Sequence, residues 1–376
     1  MPYETITRGK KMDRKNINTN EALKAYFKQT PTYCEPYGNG HINDTFLVVA
    51  DRRYILQRMN TAIFKDPDGL MHNILGVTEY IRKKTAEVGG DVDRCSIVVC
   101  PTLAGDKYFC DSTRNYWRLY EFTERTITRE KVENAEDFYR CAEAFGEFQR
   151  QLADYPAETL NETIANFHNT PWRYDNLMDA VHKDSCKRLG GVLTEVAFAK
   201  ERESFCCTLE RARESGKLPL RVTHNDTKLN NILFDEESGK AICVIDLDTV
   251  MPGYSVTDFG DSIRFGANTA AEDEIDLSKV SLDLELFRVY ADGFIKGCGG
   301  SLTETELELL PIGAIMMTLE CGMRFLTDYL EGDVYFKIHR PNHNLDRARN
   351  QFALVADMER KLDEMRKIVE DISIKI

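Results

Sequence analysis

The hydrophobic period changes once along this chain, and that change limits what it can fold into. Between Tyr33 and Phe122 the β-branched and aromatic residues fall in short runs broken by turn residues: 44–49, 54–59, 96–100, 108–110 and 116–122. Strand side chains alternate between two faces, so runs of this length predict a small, mostly antiparallel sheet. One stretch, 68–87, interrupts it with Leu70, Ile74, Val77 and Ile81 at helical spacing. After Phe122 the period lengthens. Phe138, Cys141, Phe145, Phe148 and Leu152 recur every three or four residues, which marks an amphipathic helix with one buried face. Further helical patterns run over 189–215, 282–296, 304–330 and 345–372. The chain therefore divides near residues 123–130 into a small sheet lobe and a larger, mainly helical lobe, an α+β arrangement. Its 376 residues also exceed the size at which one core stops growing. We assign 1–31 to a poorly ordered leader with the start of a first helix, 32–125 to the sheet lobe and 126–376 to the helical lobe.

One β-element breaks the helical lobe: 231–235, a turn at 236–239, then 241–246 read as a hairpin. Just before it stands the densest polar run of the chain, residues 222–231 (VTHNDTKLNN). A carboxylate at Asp226, an ammonium at Lys228 and an amide at Asn231 follow the spacing of phosphoryl-transfer loops. Asp226 is the candidate base for an acceptor hydroxyl, and His224 a structural support of the loop. Antiparallel pairing brings the residue opening the hairpin close to the one closing it, so Asn231 and Asp246 become neighbours. An amide oxygen and a carboxylate meeting there suit Mg2+, with room for water and phosphate oxygens. The formal net charge of −13 makes such a cation necessary for an anionic substrate, and it excludes nucleic acid as the main partner.

A second string, Asp258-Phe259-Gly260, has the letters that hold magnesium in protein kinases, but it lacks the preceding apolar strand that Asp246 has. We assign Asp258 to supporting the loop from below. The nucleotide is written more faintly. Gly38 and Gly40 lie between two strands and can cover phosphates with backbone amides, or form a bare turn, with His41 at the tip facing the cleft. The inward position expected to carry a lysine on the following strand carries Gln57. Phosphate charge then falls to Lys228, Mg2+ and, as a further candidate, Arg58. Backbone groups of Tyr120, Glu121 and Phe122 are placed to hold adenine.

Within the apolar pattern of 304–330, Arg324 needs a partner: either a ligand, or an ion pair with Glu320 or Asp328. His339 and His343 have zinc-like spacing, but Pro341 separates them and no glutamate follows the first, which argues against a metal. The eleven cysteines form no C-x-x-C pair and read as reduced thiols. The first twenty residues lack a secretory apolar core, and the longest apolar stretch, 312–319, is too short to span a bilayer. The expected setting is the cytoplasm, with no membrane contact.

With these residues in view, the chain resembles the aminoglycoside phosphotransferase and choline kinase superfamily, and within it the bacterial N-acetylhexosamine 1-kinases. The likeness runs from about Glu35 through residues 37–43, 53–57, 222–233, 245–249, 258–266 and 321–326; the segment before Thr32 and the loop 183–193 depart from it. It implies a bilobal, protein-kinase-like fold and ATP- and Mg2+-dependent phosphorylation of N-acetylglucosamine or N-acetylgalactosamine at the anomeric hydroxyl. It also implies sugar contacts from His41, Asp226, Phe265, Arg324 and Tyr329, with Asp246 on the metal. The residues alone leave open a kinase of choline, homoserine or an aminoglycoside, and a nucleotide-binding pseudokinase. Retention of Asp226, Asn231 and Asp246 together counts against the last.

Overall fold

The computed structural model describes residues 17–38, 42–129, 132 and 134–375. Its first lobe begins with α1 (Asn20–Tyr26), followed by β1 (Tyr33–Pro36), β2 (Asp44–Val49) and β3 (Arg53–Met59). Then come α2 (Pro67–Glu87), β4 (Val99–Cys100), β5 (Phe109–Cys110) and β6 (Tyr116–Glu121). The strands form one antiparallel sheet in the order β1-β2-β3-β6-β4, with β5 also on β6.

Alternation sorts the two faces of this sheet. Phe46, Val48, Leu56, Trp117 and Leu119 pack outward under α1, which contributes Ala22 and Tyr26, and the Tyr26 hydroxyl donates to the Trp117 carbonyl at 2.8 Å. Ile55, Met59 and Tyr120 face inward, toward Leu70, Ile74, Val77 and Ile81 of α2. The segment expected to fray thus adds α1 to the sheet lobe. β1, the strand implied before the Gly38 turn, is an edge strand ending at Pro36, where a residue without an N–H is tolerated. The run 96–100 pairs only at Val99 and Cys100.

The chain leaves this lobe through β7 (Thr126–Ile127), which pairs with β9 (Ile232–Asp235), itself paired with β10 (Ala241–Val244). The crossing is therefore built into the hairpin sheet. Arg94 reinforces it by pairing with Asp235 at 2.8 Å and donating to the Glu124 and Arg125 carbonyls.

The second lobe contains α3 (Ala135–Gln151), α4 (Thr170–Lys183), α5 (Leu193–Lys200), α6 (Glu203–Cys206) and α7 (Thr208–Glu214). The two-stranded pair of β8 (Arg221–Thr223) and β11 (Met251–Gly253) leads into α8 (Ser255–Gly266), α9 (Leu284–Cys298), α10 (Glu304–Glu331), α11 (His343–Arg360) and α12 (Leu362–Ser373). The pattern at 189–215 resolves into three short helices, the C-terminal pattern breaks at Lys361, and α4 and α8 are additions to the sequence reading. α10 starts on a capping box between Thr303 and Glu306. Its apolar window is long enough to cross a membrane, but 83% of it is buried inside the lobe, the pattern of a core helix. Gly260 of α8 and Gly313 of α10 let these helices touch: a Cβ on Gly260 would lie 2.3 Å from the Gly313 carbonyl oxygen, and one on Gly313 only 2.1 Å from that of Val256. Gly260 therefore serves packing.

Candidate active site

The polar run becomes the turn between β8 and β9. Asp258, in the first turn of α8, organises it: its carboxylate accepts the backbone N–H groups of His224 (2.8 Å) and Asn225 (2.7 Å) and the amide of Gln149 (2.9 Å). Thr227 donates to the Asp258 carbonyl, and Ser262, one turn on, donates to that of Thr227. Successive turns of one helix face thus hold the loop from below. The imidazole of His224 is fully buried between Phe145 and Phe148. Its Nε2 donates to the Ile245 carbonyl at 2.9 Å while Nδ1 faces the Asp226 N–H at 3.3 Å, the neutral Nε2–H tautomer.

These supports leave Asp226 at the loop's open side. Lys228 Nζ lies 2.5 Å from its Oδ1, and Asn231 Nδ2 donates to its Oδ2 (3.1 Å) and to its carbonyl (2.8 Å). Burial works against the Lys228 charge, yet Asp226 and Asp261 outweigh it and hold its pKa above the ordinary lysine value.

Hairpin register pairs Val244 with Ile232, and the Ile245 N–H donates to the Asn231 carbonyl at 2.9 Å. Asn231 and Asp246 thus open and close one ribbon end. Asp246 sits at a left-handed φ of 58° on a short turn through Thr249. It keeps solvent access though ringed by protein. Burial first, then the charges of Asp248 and Asp226, push its carboxyl up to about 6. Its carboxylate accepts no hydrogen bond among the described residues, and Asn231 Oδ1 is likewise uncommitted, since only Nδ2 is used. No cluster of three His, Cys, Asp or Glu suited to a metal occurs among the described residues. An amide oxygen and a crowded, unpaired carboxylate at one ribbon end nevertheless fit Mg2+, which binds through one or two protein oxygens and its substrate's phosphates.

On the sheet-lobe wall the outcome differs from the sequence reading. Gln57 is not free to meet phosphate: its Oε1 accepts Nε (3.0 Å) and Nη2 (2.8 Å) of Arg118, and its Nε2 donates to Thr45. Arg58 points to the opposite face, as alternation requires of Gln57's neighbour, and pairs with Asp44 at 2.6 Å. The N–H groups of Glu121 and Phe122 already donate to Val98 and Arg53 carbonyls, the Tyr120 side chain is buried, and the Phe122 ring lies under Arg53. His41 and Gly40 fall outside the described residues.

Residues 34–285 match the model of the phosphotransferase enzyme family, APH, a span covering the sheet lobe, the loop, the hairpin and α8. The chain belongs to the phosphotransferase enzyme family. It is accordingly a phosphotransferase of the APH type. Solved structures share the fold of this phosphotransferase at low identity. A microcompartment-associated aminopropanol kinase gives a TM-score of 0.62 at 15% identity, covering 92% of this chain and 97% of that one. An aminoglycoside phosphotransferase from Alicyclobacillus acidocaldarius subsp. acidocaldarius DSM 446 gives 0.60 at 15%, covering 93% and 96%. An amicoumacin kinase in complex with AMP-PNP, Ca2+ and Ami gives 0.52 at 14%, covering 94% and 92%.

On the phosphotransferase's helical side, Arg324 of α10 takes neither ion pair offered by the sequence. Glu320 is occupied by His168 Nδ1 (2.9 Å) and Thr170 (2.8 Å), and Asp328 by the N–H groups of Val334, Tyr335 and Phe336 and the amide of Asn344. The Arg324 guanidinium instead lies between the rings of Phe167 (5.7 Å) and Phe336 (5.6 Å) and donates no hydrogen bond among the described residues. His168 links this region to the loop, its Nε2 3.2 Å from the Asn225 carbonyl. Phe265 is exposed, one turn beyond Asp261 and Ser262 on the loop-facing side of α8. Tyr329 is buried, with Arg188 over its ring at 4.6 Å. Asn43, Arg118 and His168 were missed as site residues; Asp248, which the sequence places near Asp246 with its role open, binds Asn43 and Arg118. Arg118 had a signal, a charge amid the apolar run of β6.

Proposed function

We propose that this phosphotransferase transfers the γ-phosphoryl group of ATP to the anomeric hydroxyl of an N-acetylhexosamine, giving the sugar 1-phosphate and ADP. The acceptor oxygen forms the new O–P bond, the bond to the ADP oxygen breaks, and the hydroxyl proton passes to Asp226, which Lys228 and Asn231 hold in place. Asn231 and Asp246 would hold Mg2+, which neutralises phosphate oxygens when bound. Backbone carbonyls around Tyr120, Glu121 and Phe122 would face adenine, with Gln57 contributing through Arg118. Phe265 would pack on an apolar sugar face with Arg324 donating to the sugar, and the family resemblance adds His41 and Tyr329 as sugar contacts. With every described cysteine a free thiol, we place the reaction in the cytoplasm.

The observation that carries the acceptor assignment is Arg324, a guanidinium between two rings that makes no salt bridge among the described residues, because nearby Glu320, whose pKa it helps to lower, is held by His168 and Thr170. Its positive charge repels an ammonium alcohol such as choline or an aminoglycoside, and it already occupies the ring faces of Phe167 and Phe336 that would stabilise such a cation. It suits an uncharged acceptor rich in hydroxyl and carbonyl oxygens. ADP release with N-acetylglucosamine and N-acetylgalactosamine, set against choline, homoserine, 1-amino-2-propanol and an aminoglycoside, tests this directly. The reading expects turnover on the sugars and a product phosphorus coupled to the anomeric proton in 31P NMR. Preference for an ammonium alcohol, or phosphate on a primary hydroxyl, would retire it.

A further inference from the structure

The wall of the sheet lobe nearest the metal corner carries one fully buried cation. Arg118 lies on β6 directly opposite Gln57 on β3, at an inward position flanked by the outward-facing Trp117 and Leu119. Burying a guanidinium in such a strand demands fixed partners. Two of its nitrogens are held by the Gln57 carbonyl oxygen, and the third approaches Asp248 Oδ1 at 2.6 Å, with both side chains almost completely buried. That last contact is short but off-line, so it is an ion pair without a directional hydrogen bond.

Asp248 belongs to the turn that begins with Asp246. Its other oxygen accepts the amide of Asn43 from the sheet lobe at 2.6 Å, and its carbonyl accepts the Thr163 hydroxyl at 2.9 Å. The sheet lobe thus grips the metal turn through the Asp248 carboxylate, two residues from the free carboxylate, in addition to the apolar packing of Leu247 against α2.

We infer that Arg118, rather than a residue of β3, is the sheet lobe's cation for the metal–triphosphate corner. It is a positioning residue that clamps Asp248 and so sets the turn carrying Asp246, while Gln57 aims it. The inference rests on the reading of Asp246 as a metal ligand but not on the identity of the acceptor. It also explains glutamine on β3: a lysine there would stand against Arg118.

Calorimetric titration of the full chain with ATP, with and without Mg2+, tests this and needs no acceptor. Arg118→Gln should weaken MgATP binding roughly tenfold or more while moving metal-free ATP binding by less than about threefold. Gln57→Lys should also weaken MgATP binding, because it sets two cations in contact. The exchange variant Gln57→Lys/Arg118→Gln, which keeps one cation and one carbonyl across the pair, should return to within about threefold of the parent. Unchanged MgATP binding in Arg118→Gln, equal weakening with and without metal, or tighter binding in Gln57→Lys alone would overturn the inference. Should Arg118→Gln fail to fold, the exchange variant decides: folded and binding supports the clamp, folded and not binding overturns it. A parent protein that binds ATP equally with and without Mg2+ removes the metal reading and this inference together, whichever alcohol is phosphorylated.

Discussion

Asn231 holds Asp226 twice, its amide nitrogen donating both to the carboxylate (3.1 Å) and to the backbone carbonyl of the same residue (2.8 Å). On the proposed reading, one side chain orients the proton acceptor with its nitrogen and leaves its oxygen for the cation, so base and metal corner would be coupled through five residues of chain.

Asn231→Ala should lose both roles at once. We expect the Mg2+ concentration for half-maximal rate to rise about 10- to 100-fold, with a fall in kcat besides. An Asn231→Asp variant returns an oxygen ligand but removes the donor to Asp226, so its Mg2+ requirement should recover further than its kcat. Initial rates over a Mg2+ series read both numbers.

Arg324→Leu keeps bulk between Phe167 and Phe336 but removes the donors. The KM for N-acetylhexosamine should rise by about 10- to 100-fold, in line with the loss of charged hydrogen bonds, while the KM for ATP stays put. A parallel rise in both would place Arg324 in the scaffold instead.

The metal corner should also show in the pH dependence of stability. Burial and the neighbouring carboxylates push Asp246 up to about 6, so the folded protein keeps this proton where the unfolded chain has lost it. The stability from that group is complete below the ordinary aspartate range and is lost as pH rises toward 6. Mg2+ with ADP binds the deprotonated form. Its gain in Tm, followed by differential scanning fluorimetry, should therefore be larger at pH 7.5 than at pH 5.

Gly313→Ala tests the α8–α10 contact that carries Asp258 to the loop. The added methyl would press on the Val256 carbonyl, backbone that cannot swing aside. Overpacking of this kind costs about 1–3 kcal/mol, read as a Tm fall of roughly 2–10 °C.

The parts legible in the sequence were those written locally. The change of period marked both lobes, the hairpin register followed from one turn, and the loop followed from residue types at fixed spacing. What stayed hidden depends on contacts between distant segments. Gln57 read as a weakened phosphate ligand because nothing nearby reveals Arg118, 61 residues on, as its partner. Arg58 looked available until the sheet showed which face is inward. The alternatives for Arg324 closed only when His168 and Asn344 were seen to occupy Glu320 and Asp328. α8 escaped notice because its loop-facing side carries Asp258, Asp261 and Ser262, buried polar residues that mask an apolar stripe.

The central claim is that Asp226 takes the acceptor's proton at a corner where Asn231 and Asp246 hold the metal. Turnover of the Asp226→Asn variant, measured alongside its MgATP affinity, tests it most directly. We predict a fall in kcat of about 10²–10⁴-fold with MgATP affinity within about threefold of the parent. Turnover that survives the substitution would contradict the account.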